Sequence, residues 1–277
     1  MPILIWLPHL IALTLLFAGC ASSINFSGLP VSGSASQAAR KSISLTPAEA
    51  ETVGRRIWQN ESGGTLEGLT AWNSGEEFAS LGIGHFIWYP ANFNGPFTES
   101  FPQLLQHFAS KNIAMPNWLR ASLDCPWQTQ SAFQRDFNSP RMLELRHFLA
   151  STIAEQALFA AKRMEGSLPT MLQAVHPQEK ENIKRRFYSI ANSAQGIYAL
   201  VDYVNFKGEG TAPAERYNGR GWGLLQVLQS MEQPENLQSF ANAARAVLAQ
   251  RVKNAPPNRS EGRWLSGWYN RISTYAQ

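Results

Sequence analysis

A chain of 277 residues is long enough to fold as one large domain or two small ones, and its apolar content supplies ample core. Charged residues make up only 16%, and 24 Lys and Arg against 20 Asp and Glu leave a formal charge of +4, which suits an anionic polymer but is too weak to select one. With no charge block and no internal repeat, basic nucleic-acid arms and repeat architectures are excluded, whereas nine Trp and fifteen Phe offer ring faces for sugar stacking as well as for cores.

Residues 3–18 are apolar and uncharged, a length that fits a secretory signal better than a spanning helix of about 20 residues. They end in Phe17-Ala18-Gly19-Cys20, which resembles a bacterial lipoprotein signal peptide with its lipid-acceptor cysteine, although the start carries no Lys or Arg, only His9. An uncleaved membrane anchor is the alternative. The resemblance implies removal of residues 1–19, lipidation of Cys20 and attachment to a membrane through it. Ala21 in place of Asp implies the outer membrane, facing the periplasm. Cys125 is then the sole free cysteine, so no intrachain disulfide is expected, and its setting reads as that of a small buried hydrophobe. Residues 20–45, rich in Ser, Gly and Ala, read as a flexible tether, leaving 46–277 as the folded domain.

Thr46, Pro47 and Glu49 form a helix start, and a helix over 47–60 carries Val53, Ile57 and Trp58 on one face. It delivers Glu61 into a Ser62-Gly63-Gly64 turn. Residues 66–89 are short-patterned, aromatic and Gly-punctuated, as in a small antiparallel sheet, and 90–96 read as a loop. Beyond lie helices over 99–111, 116–124, 128–137, a long and central 140–164, then 167–174, 177–192, 194–205, 222–231, 234–253 and 262–276. The expected fold class is mainly α (α+β), with one small antiparallel sheet near the N-terminus of the domain.

Glu61 followed by Ser80-Leu81-Gly82-Ile83-Gly84-His85 resembles the phage-type lysozymes, in which a catalytic Glu precedes a Thr-x-Gly-x-Gly-His hairpin. Glu61-Ser62-Gly63-Gly64 also resembles the opening motif of soluble lytic transglycosylases. Ser80 stands where the phage enzymes carry Thr, and their second acid aligns with Ser74, so Glu76 or Glu77 takes that role if any residue does. The resemblance covers residues 47–90 and implies a lysozyme-like helical domain cleaving the glycan strands of peptidoglycan, with Glu61 as general acid and Ser80 holding a water. A second acid facing the cleft implies a hydrolase (muramidase); its absence implies a lytic transglycosylase. A catalytically silent peptidoglycan-binding lipoprotein of the same fold is the alternative from another class. Glu76 and Glu77 otherwise read as a solvated turn, and His85 as a residue tying the hairpin to backbone.

Later in the chain, Tyr217-Asn218-Gly219-Arg220-Gly221-Trp222-Gly223-Leu224-Leu225-Gln226 has partial similarity to the Gly-Leu-Met-Gln motif of the soluble transglycosylases, but much further from the acid than in that family. Its glycines allow close backbone approach, while Tyr217, Trp222 and Gln226 offer stacking and hydrogen bonds, so these three and His85 are the candidate substrate-binding residues. A tightly packed helix start is the plainer reading. Trp264, Trp268 and Arg271 fall close to one helical face, suited to packing or to a sugar groove. The glycine spacing is not that of a phosphate-binding loop, the five His are dispersed without ligand spacing, and no cofactor motif occurs, so neither metal nor cofactor is expected. The expected partners are peptidoglycan and the membrane, with no nucleic acid, and the expected state is a monomer.

Overall fold

Thr46 starts the first helix as its residue type demands. Its side chain accepts from the Glu49 N–H while the Glu49 carboxylate accepts from the Thr46 N–H at 2.8 Å, a reciprocal capping box. A computed structural model describes residues 42–277 apart from Asn94, Leu123 and Ala214; Cys20, the expected signal peptide and all but the end of the expected tether lie outside the described residues. Helix α1 (Pro47–Ser62) runs two residues further than the expected 47–60, so Glu61 sits in its last turn. Gly63 then stops it at φ 65°, a left-handed conformation that glycine adopts without strain. The domain's contacts begin ahead of residue 46: the Ile43 N–H donates to Glu165 Oε1 at 3.0 Å, and Ile43 and Leu45 pack on the core.

The chain next makes an antiparallel sheet of β1 (Thr70–Ala71), β2 (Ala79–Leu81) and β3 (Phe86–Trp88) in sequential order, with Ser80 opposite both Ala71 and Ile87. Among the described residues, the regular elements that follow are helices and one hairpin: α2 (Phe101–Ser110), α3 (Asn117–Ala121), α4 (Gln130–Arg135), α5 (Pro140–Ser151), α6 (Ile153–Gln173), α7 (Lys180–Ile190), α8 (Ala194–Lys207), β4 (Arg216–Tyr217), β5 (Arg220–Gly221), α9 (Leu224–Ser230), α10 (Leu237–Asn254) and α11 (Leu265–Ser273). The fold is mainly α with a small N-terminal antiparallel sheet. Among the described residues, no helix is long and apolar enough to cross a membrane.

The long helix expected over 140–164 is two helices. It breaks at Thr152, and the second continues through the expected 167–174 helix despite Pro169. The break lets α1 come close: a Cβ on Gly54 would lie 2.5 Å from Ile153 Cγ2 and 2.9 Å from its carbonyl oxygen, a spacing only glycine tolerates. Gln156, fully buried one turn into α6, answers the carbonyl freed by the break, donating to Leu149 O at 2.7 Å and to Thr152 Oγ1 at 3.1 Å. Helix α6 packs against α1, α2, α7 and α8 and is the axis of the core, which also holds buried Phe86, Phe187, Tyr198, Tyr203, Phe240 and Tyr275.

Candidate active site

The same Gln156 fixes the loop that faces Glu61. Its Oε1 accepts from the Ile83 N–H at 3.0 Å, and the Gly82 N–H donates to Leu69 O at 2.8 Å, pinning the turn between β2 and β3 onto α6. That turn needs left-handed backbone at Gly82 (φ 74°) and at His85 (φ 48°), the latter uncommon for a residue with a side chain. The twist aims the imidazole at the end of α1, with His85 Nδ1 3.5 Å from Glu61 Oε2; the Glu61 side chain is only 14% exposed. His85 Nε2 and, beside Gly84, Asn205 Nδ2 are buried without a hydrogen-bond partner among the described residues.

On its other oxygen Glu61 meets Arg271, from the last described helix. Arg271 is itself gripped by Asp202 of α8 in a fork of two bonds, Nε to Oδ2 and Nη2 to Oδ1, each 2.8 Å. Asp202 is wholly buried and also accepts from Tyr275 OH at 2.6 Å and Asn60 Nδ2 at 3.0 Å. Burial by itself would lower the Arg271 pKa, but the Asp202 hydrogen bonds and the charges of Asp202 and Glu61 outweigh it and hold the guanidinium above its ordinary range. Glu61, Arg271 and Asp202 therefore form a triad of two carboxylates around one cation.

From this triad a run of rings and cations leads to the late Gly-rich motif. Arg271 lies over Phe206 (4.5 Å), whose ring and that of Trp268 flank the Lys207 ammonium at 3.9 and 3.6 Å. Arg251 lies 5.3 Å from the Trp268 ring centre and 4.0 Å from that of Trp222, and it binds Glu261 through bonds of 2.7 and 2.8 Å. Tyr217 OH donates to Glu261 at 2.9 Å, and its ring packs on Trp222 at 4.6 Å. The hydrogen bond from Arg251 holds the Glu261 carboxyl below its usual value.

Several expected site residues are occupied elsewhere. Glu76 and Glu77 lie on the turn between β1 and β2, at the opposite end of β2 from the turn that carries His85. The Glu76 carboxylate accepts from Asn73 at 3.0 Å, and the turn is tied to α4 through a 2.8 Å bond from Gln130 to Trp72 O. Ser80 is buried in the middle strand and makes no hydrogen bond to Glu61 among the described residues. Trp222 is buried under Arg251. Gln226 spends its amide on backbone, accepting from Gly223 N–H at 2.9 Å and donating to Gly210 O at 3.1 Å. It also edges a surface cavity of about 430 Å³ shared by Arg216, Arg220 and Gln250, which does not include Glu61.

Sequence reasoning missed Asp202, Lys207, Arg251 and Glu261. Asp202 left a trace: it is the one acid in the otherwise apolar run from Ile197 to Val204, and a lone acid there must find a partner. The β4–β5 hairpin left another, since Asn218-Gly219 is the dipeptide for a two-residue turn with positive φ at both positions, here 50° and 76°. Compared with models of known families, with curated proteins and with solved structures, the chain matches none.

Proposed function

We propose that the protein cleaves the glycan strands of peptidoglycan, with Glu61 as the general acid, in the manner of a lytic transglycosylase. The observation that supports this reading is the approach of His85 to 3.5 Å from Glu61, which sets a part-buried carboxyl in the last turn of α1 against the Gly82–His85 turn of a small sheet. In this chemistry the acid gives its proton to the glycosidic oxygen as the C1–O bond breaks. The sugar's own C6 hydroxyl then adds to C1 and returns a proton to the same carboxylate, so no second acid and no water are consumed. Of the alternatives for a second carboxylate, Glu76 and Glu77 sit on the far turn of the sheet, and Asp202 is sealed and already committed to Arg271, Tyr275 and Asn60. His85 orients the free oxygen of Glu61, and Arg271, neutralised by Asp202, fixes the other.

One observation favours a second reading, a glycan-binding protein without turnover: Glu61 is in contact with Arg271, as a purely structural carboxylate would be. Mass spectrometry of fragments released from purified peptidoglycan separates the readings. Anhydro-ended fragments support the transglycosylase, reducing ends a hydrolase with an unrecognised water-activating group, and no release at all the silent binder.

A further inference from the structure

Lys207 is a half-buried cation without an anion. At the end of α8, its ammonium lies between the Phe206 and Trp268 rings and makes no hydrogen bond or ion pair among the described residues. Its charged neighbours make matters worse, because Arg251 from α10 and Arg271 from α11 carry the same sign. Glu261, the acid that favours its charge, is already held by Arg251 and Tyr217. Ring faces recover part of the cost of burying an ammonium, but a native protein ordinarily pairs such a group. An unanswered cation kept at a cost in stability is what a site looks like when its counter-ion arrives with a ligand.

The surroundings specify that ligand. The ring faces are taken by Lys207 itself, so the feature that selects is its charge: one ammonium suits one anionic oxygen group, and the glycan reading of Glu61 makes a sugar its carrier. Trp268 and Arg271 are three residues apart on α11, roughly 4.5 Å along the axis, so the position beside Lys207 adjoins the position beside Glu61. We propose that Lys207, framed by Phe206 and Trp268, is a subsite for a carboxylate carried on a sugar, and that it makes the protein prefer acidic glycans to neutral ones. This deepens the reading of Glu61 as a glycan-directed site and rests on it.

The test compares binding of peptidoglycan glycan oligomers, freed of peptide and carrying their lactyl carboxylates, with the same oligomers methyl-esterified at those carboxylates, by titration of Trp fluorescence. The native protein should bind the acid form about tenfold more tightly, a difference of about 1.4 kcal/mol. Lys207→Met should abolish the preference and Lys207→Arg retain it. Because burial and the two arginines pull the free Lys207 down to about 7 against the pull of Glu261, the preference of the native protein should also fade as the pH rises from about 6 to about 9. A purely structural lysine would show neither effect.

Equal binding of acid and ester by the native protein overturns the proposal, as does a folded Lys207→Met variant that keeps the preference. Should that variant fail to fold, the native comparison decides alone. Failure to bind either form also overturns it, and release of fragments from whole peptidoglycan then shows separately whether the glycan-cleaving reading of Glu61 survives.

Discussion

Arg271 binds Asp202 through two parallel hydrogen bonds of 2.8 Å and reaches Glu61 with the same Nη2 atom, joining the last turn of the first helix to the last described helix across 210 residues of chain. Glu61 is thus held by a guanidinium that another carboxylate has already neutralised. The position of Glu61 depends on that buried pair.

Asp202→Asn is therefore expected to destabilise the fold well beyond an ordinary surface change. It leaves Arg271 as a buried cation facing Glu61 alone, and breaking a buried pair from one side costs about 3–5 kcal/mol. Urea unfolding of the variant should show a midpoint shift of that order with an unchanged slope. A shift below about 1 kcal/mol would show that solvent reaches the pair.

Gln156→Leu should damage both the core and the site. The substitution keeps volume but orphans the Ile83 N–H, while the Leu149 carbonyl keeps its bonds from the Thr152 N–H and hydroxyl. A stranded buried N–H costs about 1–3 kcal/mol. Because Ile83 anchors the turn that aims His85, cleavage should fall even under conditions where the variant is fully folded. Full activity in a folded variant would separate the turn from the site.

The capping box at Thr46 and the glycine stop after Glu61 were legible because both are local chemistry, written within four residues of the helix they bound. That the Gly82–His85 turn would face Glu61 followed from the resemblance to the phage-type lysozymes rather than from any local pattern, and the approach of His85 to Glu61 itself was not read. The break at Thr152 was not legible either, since no Pro or Gly marks it; it answers the approach of Gly54 from a distant helix. Nor was the Glu61–Arg271–Asp202 triad, whose three members come from three separate helices with no shared motif. Glu76 and Glu77 looked close to Glu61 along the chain, yet an antiparallel strand carried their turn to the other end of the sheet.

Lys207 should leave a signature in the pH dependence of stability. Burial, with Arg251 and Arg271, lowers it from 10.5 to about 7 in the folded protein. Between these values the unfolded chain holds a proton that the folded protein lacks, so stability rises with pH across that window and is lowest below pH 7, where the fold must carry the charge. Lys207→Met should flatten the rise and increase thermal stability near neutral pH and below. A variant no more stable than its parent at about pH 6 would mean that the ammonium is well solvated.

Cys125 should be inert. Burial pushes its thiol up to about 12, and its N–H is bonded to Tyr89 O at 3.0 Å within the core. Thiol reagents at pH 8 should label it only on the timescale of unfolding and rapidly in denaturant. Fast labelling of the native protein would contradict this packing.

In the proposed chemistry Glu61 supplies the proton. Glu61→Gln keeps the size of the side chain and an oxygen for Arg271 but has no acid to give. The direct measurement is the rate at which purified native and Glu61→Gln proteins release soluble fragments from peptidoglycan, with melting curves to show that both are folded. A loss of about 10²–10⁴-fold is expected, with the melting temperature changed little. Release by the Gln variant at the native rate would remove Glu61 from the chemistry.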